Sequence, residues 1–169
     1  AVLRKIVAEQ GLPKMVVYNA ALATLAPYNE LDTELFERNF RVNTTGLLVT
    51  AQELAADMIS AGGGALVVTG NTGATRGIPS FVGFSPTKAS QRILAECLAR
   101  GLGPQGLHIA YVVIDAMIDM PMVRKRLTDK PDKFFAKPDD IAGEVYHTAH
   151  QPASTRSFLV EIRPYAEPW

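Results

Sequence analysis

The chain has 169 residues, with 17 basic and 17 acidic side chains, zero formal net charge and one cysteine. That length suits one domain with its own core. The charge balance excludes the basic footprint of a nucleic-acid binder, no apolar run reaches the roughly 18 residues of a membrane helix, and one cysteine excludes an internal disulfide. A lone cysteine also fits a reducing compartment, and charges interrupt the apolar pattern of "AVLRKIVAEQ", unlike a signal peptide. The expected location is cytoplasmic.

Residues 1–10 predict the back end of an amphipathic helix, with Val2, Leu3, Ile6 and Val7 on one face. Gly11 and Pro13 stop it. The run "KMVVYNAA" (14–21) is apolar without alternation, which predicts a strand covered on both faces. Residues 31–60 carry one long helical pattern. Asp32 is its expected N-cap, Glu34 sits in its first turn, and Phe36, Phe40, Leu47, Ala51, Leu54 and Met58 recur at helical spacing. Glycines at 62–64 end it, and "ALVVTG" is a second buried strand.

A Gly/Thr-rich loop leads to a helix from about residue 84 to 100, capped by Ser85 and Pro86 and closed by Gly101. "GLHIAYVVI" is a third strand, followed by a Pro-punctuated excursion with one short helix at most. A helix from Pro138, a final strand "SFLVEI" and the tail "RPYAEPW" complete the chain. Alternating strands and helices predict an α/β doubly wound parallel sheet in a single domain, with no linker. The first visible strand reads as a flat, uncharged edge of the kind natural proteins avoid, and the opening helix is entered midway. An upstream portion of the fold, with its first strands, is therefore expected to lie outside these residues.

Several stretches have chemical content. "YNAA" (18–21) ends the first strand, "RVNTTG" (41–46) lies in the long helix, and "TGNTG" (69–73) follows the second strand. "FSPTK" (84–88) opens the next helix, and "VIDAMID" (113–119) follows the third strand. In order and spacing these resemble the short-chain dehydrogenase/reductase family. The resemblance spans essentially the whole chain. It matches the family's central and C-terminal parts and none of its N-terminal third.

The resemblance implies a Rossmann-type sheet, NAD or NADP as cofactor, and hydride transfer between nicotinamide and a small carbonyl or alcohol. It gives Asn43 the place of a helix asparagine that holds a proton-relay water, and Lys88 that of a lysine on the nicotinamide ribose. Asn19 and Ala20 match a strand-end pair on the cofactor side, and Ala21 stands where the family has glycine. Asp115 and Ala116 replace a Pro-Gly pair, Ile118 follows on the same cofactor-side stretch, and Met120 replaces a threonine. Asn71, with Thr72 beside it, falls at the catalytic serine.

The largest departure is Phe84, at the position of the catalytic tyrosine. Carbonyl reduction needs a proton for the developing alkoxide, and a phenyl ring has none to give. Lys88 lies one helical turn on, on the same face. Lys88, Thr72 or Ser85, acting through water held by Asn43, are the candidates to take over. The reading is thus an oxidoreductase with doubtful turnover. The alternative is a non-catalytic dinucleotide-binding or oligomeric scaffold protein.

No G-x-G-x-x-G sequence is present, so the usual phosphate-binding turn cannot be assigned. His147, His150 and Glu144 share a helix without the arrangement of a metal site, and no metal is expected. Asp115 and Asp119 form an acid/base pair or, more simply, are loop carboxylates. Helical phase turns Cys97 toward the core, and "VRKR" reads as a solvated face. Tyr18, at a strand end facing the cofactor side, is the least implausible substitute acid among the tyrosines. Residues 117–137 match the family's mobile substrate lid. The resemblance also implies a homodimer or homotetramer formed through the two long helices.

Overall fold

The computed structural model describes residues 2–167. Its centre is a four-stranded parallel sheet in the order β1 (Met15–Tyr18), β2 (Gly64–Asn71), β3 (Leu107–Ile114) and β4 (Leu159–Ile162). Crossovers join each neighbouring pair: helices α2 (Thr33–Phe40) and α3 (Gly46–Ser60), then α4 (Ser85–Leu102), then the short α5 (Pro121–Arg124) and α6 (Pro138–Ala149). Helix α1 (Val2–Gln10) precedes β1. The expected doubly wound parallel sheet is what forms.

The two-residue period of a strand explains the two cores. Leu66 and Val68 of β2, with Leu107, Ile109, Tyr111 and Val113 of β3, point into a core shared with α1, α3 and α4. The intervening Val67, Ala110 and Val112 point the other way, against Val145 and Ile141 of α6. Both faces of β2 and β3 are covered, so these two strand sequences have no alternation. The run expected at 14–21 to be covered on both faces forms a shorter strand, β1, which among the described residues has one neighbour, β2, and its cover is incomplete, with Val17 43% exposed. Among the described residues no helix is long and apolar enough to cross a membrane.

Several boundaries differ from the expectations. Asp32 does cap α2, accepting from the Glu34 amide at 2.8 Å. The long helix is interrupted by a π-helical turn, Arg41–Thr45, which a regular 3.6-residue pattern does not announce. Gly62 adopts a φ of +93° just past α3, and its amide bonds the Ile59 carbonyl, so the glycine stop is real. Ser85 does not cap α4: Phe84 takes that position without a side-chain bond, and Ser85 Oγ is buried with no partner among the described residues. Gly101 does not close α4 either. The helix continues to Leu102, and Gly106, at φ +98°, makes the turn into β3.

Helix α1 buries less than its pattern promised. Leu3 and Val7 pack on the core, but Val2 and Ile6 are exposed. Residue 1 of the expected opening helix and residues 168–169 of the tail lie outside the described residues.

Candidate active site

The carboxyl ends of β1, β2 and β3 lie side by side, and Thr69, near the end of β2, links the first of them to α4. Its hydroxyl donates to Asn19 Oδ1 at 2.6 Å, and its backbone carbonyl accepts from Lys88 Nζ at 3.0 Å. One residue of β2 therefore joins the end of β1 to the first turn of α4. On the α6 side of the sheet, these strand ends open on a largely apolar cleft of about 470 Å³. Val17, Asn19, Thr69, Ile114, Ile118 and Tyr146 are among its walls.

Lys88 is 2% exposed. Burial pushes its ammonium down to about 8, because a charge leaves water at a cost. Two of its three hydrogens are used, one on the Thr69 carbonyl and one on Gln91 Oε1 at 2.5 Å. The third has no partner among the described residues. Phe84, one turn earlier, is 7% exposed and meets the Phe81 ring edge-on at 6.0 Å.

Asn43 lies in the π-helical turn and is fully buried. Its Oδ1 accepts from the Leu22 amide at 2.8 Å, and its Nδ2 donates to the Leu22 carbonyl at 2.8 Å and to Thr87 Oγ1 at 2.7 Å. The side chain thus satisfies both backbone groups of Leu22 and fixes the loop leaving β1 against α4. One turn before it, Asn39 is also fully buried and donates to the Gly83 carbonyl at 2.8 Å. The sequence reading missed Asn39. Its signal was a second asparagine four residues from the first, inside an otherwise apolar stripe.

Asn71 turns its Oδ1 back to the Gly73 amide at 3.0 Å, capping a single 3₁₀ turn. Its Nδ2 has no partner among the described residues. Thr72 opens that turn, and its carbonyl accepts the amides of Thr75 and Arg76. Ala20 and Ala21 lie exposed after β1.

Asp115, at the end of β3, is held by two guanidinium groups, Arg163 at 3.2 Å and Arg76 at 3.6 Å. Neither arginine had been singled out from the sequence. The loop-carboxylate reading therefore describes Asp115 better than an acid/base pair. Asp119 pairs with Arg124 instead, at 2.6 Å, and that contact holds its carboxyl below the usual range. Ile118 lines the cleft, and Ala116 sits between Asp115 and it on the way out of β3.

Three other readings change. Tyr18 does not face the cleft: its hydroxyl donates to the Val42 carbonyl, beneath the helices on the opposite face. Cys97 is exposed, not turned to the core. Within "VRKR", Arg124 is no solvated charge, since it bonds Asp119 and Asp132 and lies 4.0 Å over the Phe135 ring. Residues 117–137 are folded back on themselves, with the Asp119 amide on the Ala136 carbonyl and the Ala136 amide on the Met117 carbonyl. His150 stacks on Tyr146 at 4.0 Å and its Nδ1 meets the Tyr146 carbonyl at 2.8 Å, at the end of α6.

Residues 1–131 match the short chain dehydrogenase family. The chain is similar to carbonyl reductase [NADPH] 2 of Sus scrofa, with 28% identity over 145 residues, covering 80% of this chain and 59% of that protein. It is similar to L-xylulose reductase of Mus musculus at 28% identity, covering 90% of this chain and 62% of the relative. It therefore spans roughly three-fifths of the length of these relatives. Among solved structures, an alcohol dehydrogenase from Thermococcus sibiricus complexed with 5-hydroxy-NADP superimposes with a TM-score of 0.82 at 25% identity, covering 98% of this chain and 68% of that one. An NAD+-bound xylitol dehydrogenase at 16% identity shares the fold, with a TM-score of 0.83.

Proposed function

The chain belongs to the short-chain dehydrogenase family, and from that premise we propose that it binds the nicotinamide–ribose half of NAD or NADP and serves oxidation or reduction of a small carbonyl or alcohol. The observation that carries this reading is the Lys88 ammonium at the carboxyl end of β2, with one hydrogen to spare. A ligand hydroxyl can accept that hydrogen. The cleft behind Asn19, Thr69, Ile114 and Ile118 offers a flat ring an apolar wall with polar atoms at its rim. Those residues fit a nicotinamide riboside. No glycine-rich turn in this chain is matched to the diphosphate.

When bound, the nicotinamide supplies the hydride. The protein's own task is to exclude water and to manage one proton. Asn19, Ala20, Ala21 and the 115–118 segment form the cofactor rim. The guanidinium groups of Arg163 and Arg76 offset the Asp115 charge, so this rim does not repel an anionic ligand. Asn43 and Thr87 fix the floor of the site, and Asn71 Nδ2 is free to donate to a substrate oxygen. Phe84 gives no proton. Lys88, held near 8, is then the acid suited to neutral pH. Thr72 and Ser85 are alcohols, which are far weaker acids.

A second reading has its own observation. Phe84 is packed against Phe81 as a core ring, and the lysine beside it is tied down by Gln91. Both suit a dinucleotide binder without turnover. The F84Y variant separates the two readings, assayed beside the wild type with NADH and NADPH on a panel of small ketones and aldehydes. The oxidoreductase reading expects F84Y to gain about 10²–10⁴-fold in kcat, the usual contribution of a placed general acid. No turnover by the wild type and no gain by F84Y on any carbonyl contradict the oxidoreductase reading.

For partners we propose a homodimer or homotetramer. Leu48, Val49 and Ile93 on α3 and α4 are 37–49% exposed, and a groove of about 570 Å³ runs between these helices. Self-association through this face would cover them. The arm at 117–137 is proposed as the substrate lid, with the Arg124–Asp119 pair as its clasp.

A further inference from the structure

Lys88 and Asn43 are joined by a third residue that nothing in the motif pattern singles out. Gln91 lies one turn beyond Lys88 on α4 and is fully buried. Its Oε1 accepts from Lys88 Nζ at 2.5 Å, and its Nε2 donates to the Asn43 backbone carbonyl at 2.5 Å. The Tyr111 hydroxyl closes the far side, 3.4 Å from both Gln91 Oε1 and the Lys88 carbonyl. The Tyr111 ring fits there because residue 70 is glycine; a Cβ at Gly70 would run into it.

We propose that Gln91 is a positioning residue, whose side-chain amide makes a dry bridge from the Lys88 ammonium to the Asn43 carbonyl. The bridge keeps the ammonium at the end of β2. It also occupies the space between the ammonium and the Asn43 carbonyl. An amide accepts at oxygen and donates at nitrogen, but it neither takes up nor releases a proton near neutral pH. The bridge therefore holds Lys88 without conducting protons to it.

Tyr111, facing Gln91 from β3, keeps its proton because burial raises it above the ordinary phenol range. Arg92, on the same helix, acts on Tyr111, and the displacement of Lys88 itself has burial as its cause. The functional weight of the bridge rests on the dinucleotide reading, but its existence does not.

The test follows the ¹³Cε resonance of Lys88 against pH in lysine-labelled wild type, Q91E and Q91M, with the signal assigned by its absence in K88R. A carboxylate beside the ammonium favours the charged form, so Q91E is expected to raise the Lys88 midpoint by about one unit. Q91M removes an acceptor of the charged form and is expected to lower it by about half a unit. If the methionine variant fails to fold, the near-isosteric Q91E decides. A Lys88 midpoint unchanged in folded Q91E overturns the proposal. If the midpoints move as expected while wild type binds neither NADH nor NADPH, the bridge stands and the dinucleotide reading falls.

Discussion

The Lys88 ammonium donates to the Thr69 carbonyl at 3.0 Å, so a cation stands at the carboxyl end of the second strand, inside the protein. Parallel sheets bind ligands at these strand ends, where crossover connections leave a crevice. A buried ammonium costs stability unless it is paired and fully hydrogen-bonded. Here its two internal acceptors are neutral, and among the described residues no carboxylate offsets the charge. A ligand acceptor for the third hydrogen would offset part of that cost.

The buried lysine makes stability depend on pH in a defined direction. Lys88 releases its proton at about 8 when folded, against 10.5 for the free side chain. Between these values the unfolded chain holds a proton that the folded one has lost, so stability rises with pH. Below about 8 both states are protonated and the penalty is constant. Urea unfolding of wild type and K88M from pH 7 to 10 is expected to show the wild type gaining on the variant, by at most roughly 1.4 kcal/mol per unit. Tyr18 and Tyr111 both keep their protons through burial and pull stability down at higher pH, but they are present in both proteins and cancel. A flat difference across the window would mean that Lys88 is solvated.

Asn43→Ala removes three side-chain hydrogen bonds at once and strands both backbone groups of Leu22. The expected loss is about 2–4 kcal/mol, read from the urea midpoint. Accelerated proteolysis in the loop after β1 should accompany it, because Asn43 is what fastens that loop to α4. A loss below about 0.5 kcal/mol would show that water replaces these bonds freely.

The exposed apolar face of α3 and α4 should govern assembly. Ile93 is 49% exposed and lines the groove between these helices. A charge there, as in I93E, is expected to leave the fold intact and shift the protein to monomer in light scattering. An unchanged mass would move the interface elsewhere.

Much of the fold was legible because a strand covered on both faces has no choice but to be apolar throughout. The runs around Val67 and Val112 announced themselves in this way. For the candidate site, residue type and spacing pointed only to positions that match a known pattern, and of these Asn43 and Lys88 lie buried beside one another's partners. Helix α4 misled the reading for a physical reason. Its buried face opens with four polar side chains, Ser85, Thr87, Lys88 and Gln91, before Ala95, so hydrophobic phase pointed instead at Cys97, which lies outside. Gln91 escaped notice for the same reason: a glutamine in a helix ordinarily faces water. Tyr18 was misplaced because a four-residue apolar strand does not say which of its two faces comes first. The π-helical turn at 41–45 depends on tertiary bonds to Leu22 and Thr87, which no local pattern encodes.

The most direct test of the central claim is titration of wild type and K88M with NADH and NADPH, followed by nicotinamide fluorescence. Saturable binding of at least one dinucleotide by the wild type is expected, with affinity at least about tenfold weaker in K88M, a difference of about 1.4 kcal/mol. Equal binding by both proteins, or none by the wild type, would contradict a nucleotide role for this buried ammonium.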